Sequence, residues 1–118
     1  TFPVSTTALA AGIVALQDKT HTDTVFQLNL EIRNEFSTKL ECMGLEVVPS
    51  QTNFVLVGFP TSSKSAVNAH RYLDANGVIV RRLASPAYSN YIRFTIGSRQ
   101  DMTTTADIVE EFLSKAKE

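Results

Sequence analysis

Gly44-Leu45-Glu46-Val47-Val48-Pro49-Ser50-Gln51-Thr52-Asn53-Phe54-Val55-Leu56 is the stretch where the apolar period of the chain changes. Before it, from about Thr22 to Cys42, apolar side chains fall at Val25, Leu28, Ile32, Phe36 and Leu40, with Met43 just beyond. Spacings of three and four predict an amphipathic helix of about 20 residues, roughly 30 Å long. Asp23, Glu31, Arg33, Glu35, Lys39 and Glu41 fill much of its remaining surface, and Gly44 supplies the usual C-terminal stop. After Gly44, Leu45-Glu46-Val47-Val48 reads as a short strand ended by Pro49 and Ser50. Asn53-Phe54-Val55-Leu56-Val57 reads as a second strand, and its unbroken apolar run predicts cover on both faces.

Downstream, Pro60 to Ser63 is a turn rich in helix-capping residues. Ala66, Val67, Ala69, His70, Tyr72 and Leu73 then fit a helix that closes at Asn76-Gly77. Val78-Ile79-Val80-Arg81 is a predicted third strand, and a loop containing Ser85-Pro86 leads to a fourth, Tyr91 to Ile96. Ser98 and Asp101 stand at capping-box spacing before a last helix striped by Met102, Ile108, Val109, Phe112 and Leu113. Upstream, Ser5 to Leu16 is an alanine-rich helix, apolar nearly all round, which expects neighbours on most sides. The order α-α-β-β-α-β-β-α predicts an α/β (α+β) fold: a small mixed or antiparallel sheet of about four strands, with helices mainly on one side. If the strands flanking the helix between Phe54 and Val80 run parallel, their crossover is expected to be right-handed.

With 118 residues and 43% hydrophobic residues, the chain suits one domain, 1–118, with a single core. Eleven basic against twelve acidic residues leave a net charge of -1, so nucleic acid and anionic membrane surfaces are not expected partners. The longest apolar run, Ala8 to Leu16, is well short of the roughly 20 residues of a bilayer span. The lone Cys42 permits no internal disulfide and suits a reducing compartment, so a cytoplasmic location is expected. Thr1 opens a segment that reads as the middle of a protein, and a fragment or processed piece is expected.

Self-contained chemistry is sparse. His21 and His70 are far apart and lack a second ligand at metal-binding spacing, so no metal site is expected. Cys42 has no adjacent base and reads as a small apolar residue. Glycine-rich phosphate cradles and a Gly-x-Ser-x-Gly turn are absent from the sequence. Ser62-Ser63-Lys64 resembles settings of Schiff-base lysines, but such chemistry calls for a lysine that is buried or beside another cation, and Lys64 opens a polar helix after a turn. The exceptions are two arginines. Arg81 ends the third predicted strand. Arg93 lies inside the fourth, where alternation puts Ile92, Phe94 and Ile96 on one face and Arg93 on the other. A guanidinium in an otherwise apolar strand needs an anion or hydrogen-bonding partner, and its planar fork suits a carboxylate or phosphate. A salt bridge to a nearby Asp or Glu, or a wet second face of the sheet, would account for Arg93 equally. Arg82 reads as solvent-facing or structural.

The stretch Gly44 to Leu56 is very similar to one shared by histidinol-phosphate aminotransferases and their close relatives. Gly77-Val78-Ile79-Val80-Arg81 and Tyr91-Ile92-Arg93-Phe94-Thr95-Ile96-Gly97 resemble the next two blocks of that family, in order and spacing. Phe2-Pro3-Val4-Ser5-Thr6 resembles the segment by which such enzymes enter their small domain. The resemblance implies the C-terminal small domain of a fold-type I pyridoxal-phosphate aminotransferase, usually a homodimer. Such enzymes transfer an amino group between an amino acid, or an amino alcohol phosphate such as histidinol phosphate in histidine biosynthesis, and 2-oxoglutarate. It further implies that Arg93 grips the substrate carboxylate and that Arg81 meets the distal anion; Asn53 belongs to a matching motif and is read here as structural. Pyridoxal 5'-phosphate, its lysine and the other catalytic groups would belong to a large domain outside this chain. The chain alone is therefore expected to be inactive, with no catalytic or cofactor-binding residue of its own. Aromatic aminotransferases and a threonine-phosphate decarboxylase share these blocks, and a free-standing non-enzymatic domain that senses a small anion is the remaining alternative.

Overall fold

The change of period at Gly44 marks the passage from a helical arm into a sheet. The computed structural model describes residues 3–115; Phe2, part of the expected entry segment, lies outside them. Helix α1 (Thr6–Gln17) is capped by the Ser5 hydroxyl, which accepts from the Ala8 amide at 3.2 Å. Asp18 ends it and caps the next helix, α2 (Lys19–Cys42), its carboxylate accepting from the His21 amide at 2.9 Å. At the far end Gly44 adopts φ +83°, a left-handed conformation costly for residues with a Cβ. There the amides of Gly44 and Leu45 turn back to the carbonyls of Glu41 and Leu40.

The sheet has four strands, β1 (Glu46–Val48), β2 (Phe54–Gly58), β3 (Arg81–Arg82) and β4 (Tyr91–Thr95), in the order β1-β2-β4-β3. Every neighbouring pair is antiparallel. β2 and β3 are therefore parallel to each other, joined by α3 (Ala66–Ala75), with β4 inserted between them. The last helix, α4 (Arg99–Lys115), opens with the expected reciprocal cap: Ser98 N–H donates to Asp101 and Asp101 N–H to the Ser98 hydroxyl, each at 3.2 Å.

One face of the sheet builds the core. Val55, Val57, Ile92 and Phe94 are buried there against Ile32, Phe36 and Leu40 of α2, Ala69 and Leu73 of α3, and Met102, Val109 and Phe112 of α4. The Phe36 and Phe94 rings meet at 5.6 Å. Helices thus cover one side, as the sequence predicts. The other side differs from expectation. Phe54 and Leu56 are only half-buried, so the apolar run of β2 is not covered on both faces by the described residues.

The third strand also begins later than predicted, at Arg81 instead of Val78. Gly77 ends α3 at φ +79°, and the Val78 amide returns to the Leu73 carbonyl at 2.9 Å, which holds this segment toward α3. Val78 and Val80 still pack against the core while Ile79 is 91% exposed, so strand alternation persists without ladder bonds. Residues 76–80 line a hollow of ≈ 380 Å³ together with residues of β4 and α4.

The helical arm is the second departure. Only the C-terminal half of α2 joins the core; Val25, Phe26 and Leu28 are exposed, and α1 buries no residue. The radius of gyration is 17.1 Å, against about 13.5 Å for a compact domain of this length. The long axis reaches 56 Å. Cys42, read as a small apolar residue, is exposed at the end of α2.

Candidate functional site

The uncovered face of the sheet carries the two arginines singled out by sequence. Ile92, Phe94 and Ile96 are buried on the helical side, so Arg93 lies on the open side, where it is half-buried. The register then adds what the sequence could not supply: β3 places Arg81 directly opposite Arg93. Directly opposed side chains in such a pair have Cβ atoms about 4.5–5.5 Å apart, and like charges there are destabilising. Among the described residues neither arginine has an ion-pair partner; the ion pairs lie elsewhere, at Lys39–Asp107, Arg99–Glu31, Arg99–Glu35 and Lys115–Glu111. The neutralising salt bridge is thus absent from the described residues, and the register sets two cations opposite each other.

Arg93 is held from behind by an aromatic ring. Its guanidinium carbon lies 5.0 Å from the centroid of Phe54, and its Nε is buried with no hydrogen-bond partner. Leu56, its direct neighbour on β2, offers no acceptor. Such a buried, unsatisfied donor costs free energy until an acceptor arrives. Arg81 and Arg82 are exposed.

Glu46 shares the open face with the arginines but is engaged elsewhere. The Tyr91 hydroxyl donates to Glu46 Oε2 at 3.0 Å, across Gly58. A Cβ on Gly58 would come within 3.1 Å of both partners, so the pair closes over a position that only glycine leaves open. The hydrogen bond to Glu46 raises the Tyr91 pKa, with burial and the charge of Glu46 adding to it.

Two participants escaped the sequence reading. Phe54 looked like a core strand residue, because face assignment in an unbroken apolar run is ambiguous. Arg33 looked like surface charge on α2, yet it is buried and donates from Nη1 to the Thr52 carbonyl at 2.8 Å. Its position beside Ile32, at the edge of the apolar stripe, was the available signal. Thr52 in turn receives the Phe54 amide on its hydroxyl and donates to the Phe54 carbonyl. Asn53 contributes its backbone: its carbonyl accepts from Ile96 N–H at 2.8 Å and extends the β2–β4 ladder.

The remaining candidates stay apart from this face. Lys64 lines a hollow with Cys42, Met43, Glu110 and Leu113, on the helical side. His21 is exposed near the start of α2 and His70 is half-buried in α3. Among the described residues no group of three His, Cys, Asp or Glu side chains could hold a metal, and no helix is long and apolar enough to cross a membrane.

Comparison with known proteins adds a family to this geometry. The family model for aminotransferase class I and II matches residues 1–109. A histidinol-phosphate aminotransferase of Rhodospirillum centenum is 35% identical over 112 residues, which are 95% of this chain and 31% of that protein. One from Nitrobacter hamburgensis is 33% identical, over 97% of this chain and 32% of its own length. A solved structure named "Putative histidinol-phosphate aminotransferase", from Erwinia carotovora atroseptica, superposes with a TM-score of 0.82 at 25% identity, over 92% of this chain and 30% of that one. The chain thus spans about a third of the length of the curated relatives it matches.

Proposed function

The chain belongs to the class I and II aminotransferases, and from that premise we propose that residues 1–118 form the C-terminal small domain of a histidinol-phosphate aminotransferase. In this reading the open face of the sheet is an anion grip and a cover that closes over substrate. Arg93 takes the carboxylate of the amino-acid or oxo-acid substrate. Arg81 meets the distal anion, phosphate on histidinol phosphate or the second carboxylate of 2-oxoglutarate. The carrying observation is the direct opposition of Arg81 and Arg93 on one face, with no carboxylate of the described residues between them. A bound anion relieves that repulsion and supplies the acceptors that the guanidinium forks require.

Pyridoxal phosphate supplies the electron sink of such reactions when bound. The described residues do not fit it. Lys39 and Lys115 are tied to Asp107 and Glu111, Lys64 sits on the helical side, and Lys19 is exposed at the start of α2. The cofactor, its lysine and the proton-transfer groups are assigned to a large domain outside this chain. Leu9, Ile13, Val14 and Leu16 of α1, with Val25, Phe26 and Leu28 of α2, are the surface on which that domain would rest. A helix that is apolar nearly all round yet covers none of its residues fits a segment whose neighbours lie elsewhere. A homodimer and a cytoplasmic location complete the proposal.

A kinetic screen of amino donors on the full-length protein tests it. Histidinol phosphate should be used in preference to unphosphorylated donors. Arg81→Ala should lower kcat/KM for phosphorylated donors by about 10- to 100-fold, the value of charge-assisted hydrogen bonds, while sparing neutral side chains. An equal loss on every donor, or none, contradicts the role given to Arg81.

A further inference from the structure

We propose that Phe54 is a positioning residue for Arg93: its ring backs the guanidinium so that the fork stays extended toward the substrate carboxylate without being neutralised. This inference rests on the reading of Arg93 as the carboxylate grip. Phe54 faces Thr95 in the β2–β4 register and Leu56 faces Arg93, so Phe54 is the diagonal neighbour of Arg93 on the open face. From there its ring centroid lies 5.0 Å from the guanidinium carbon. An aromatic face attracts a cation through its quadrupole and accepts no conventional hydrogen bond along the plane of the fork. A carboxylate in the same place would orient the arginine more strongly but would compete with substrate for the same donors. The consequence is visible at Nε, which is buried and still unpartnered.

The ring is itself mounted rigidly. The Thr52 hydroxyl bonds the Phe54 amide and carbonyl, and the Thr52 carbonyl is pinned by Nη1 of buried Arg33 at 2.8 Å. The Asn53 carbonyl is fixed to β4 by Ile96 N–H. Arg33 and Thr52 therefore anchor the turn from which Phe54 projects, and a long, flexible side chain on β4 acquires one favoured direction.

The test uses the full-length protein with Phe54→Leu, Phe54→Tyr and Arg93→Ala, probed with glutarate, a non-reacting dicarboxylate, by calorimetric titration, and with steady-state kinetics. Phe54→Leu should weaken glutarate binding and raise KM for dicarboxylate substrates by about three- to tenfold, the scale of a partly desolvated cation–π contact, with kcat changed less than about twofold. Phe54→Tyr keeps the π face and should restore both values. If Arg93→Ala weakens glutarate binding while Phe54→Leu leaves it within twofold of wild type, the positioning role is overturned and the arginine grip stands. If Phe54→Leu lowers kcat as much as it raises KM and tyrosine does not rescue it, a general packing role replaces the proposal. If Arg93→Ala leaves glutarate binding unchanged, the grip itself fails and the inference falls with it.

Discussion

Arg93→Ala in the full-length protein is expected to lower kcat/KM for carboxylate-bearing substrates by about 10²- to 10³-fold, the scale of truncating one partner of a desolvated, hydrogen-bonded charge pair. The fold should survive, because Arg93 lies on the open face and its only described partner is the Phe54 ring. Removing it also removes a buried unsatisfied Nε and the repulsion from Arg81, both of which weigh against the unliganded state. Unfolding midpoints should therefore stay at or slightly above wild type while turnover collapses. Arg93→Lys should be intermediate at best, since an ammonium keeps the charge but loses the planar fork. Steady-state kinetics together with thermal unfolding check this, and a parallel loss of stability and activity would contradict it.

Phe94→Ala is expected to show the opposite pattern. The neighbouring side chain on β4 is 1% exposed and its ring packs on Phe36 of α2. Truncation removes a large buried surface and leaves a cavity between sheet and helices, a loss of about 3–5 kcal/mol. That is a large share of the roughly 5–15 kcal/mol by which domains are usually stable. Urea unfolding should show it as a lower midpoint with little change in slope. Leu16→Ala, at a position 84% exposed, should cost residues 1–118 almost nothing when measured in the same way. A difference of under about 1 kcal/mol for Phe94→Ala would mean that the sheet and α2 do not share one core.

Periodicity revealed what depends on neighbours in sequence. The switch after Gly44, the stripe of α2, the Ser98–Asp101 cap and the inward face of β4 were all legible, because each rests on local geometry. The family reading, carried by the blocks at 44–56, 77–81 and 91–97, is borne out by the match over residues 1–109. Features that depend on distant neighbours were hidden. The opposition of Arg81 and Arg93 needs a β3–β4 register that crosses a loop, and neither segment specifies it alone. Val78 to Val80 has strand alternation, but the bond from the Val78 amide to Leu73 competes with ladder pairing, and competition of that kind leaves no trace in composition. Phe54 and Leu56 look identical in kind to Val55 and Val57. Only the placement of the helices decides which pair is covered. Arg33 shows the converse, a charge whose burial is made tolerable by one backbone carbonyl 19 residues away.

The uncovered α1 is where sequence and structure agree on a demand that the described residues do not meet. Its composition asks for neighbours on most sides, and it has none buried. In the proposed reading α1 rests on a large domain outside this chain while the arginine face turns to substrate.

A crystal structure of the full-length protein with glutarate bound would test that account most directly. It should show a glutarate carboxylate accepting hydrogen bonds from the Arg93 guanidinium, Phe54 stacked behind it, and Leu9, Ile13 and Leu16 covered by the large domain. Arg93 paired instead with an aspartate or glutamate of the protein, with glutarate bound elsewhere and α1 still in solvent, would contradict it.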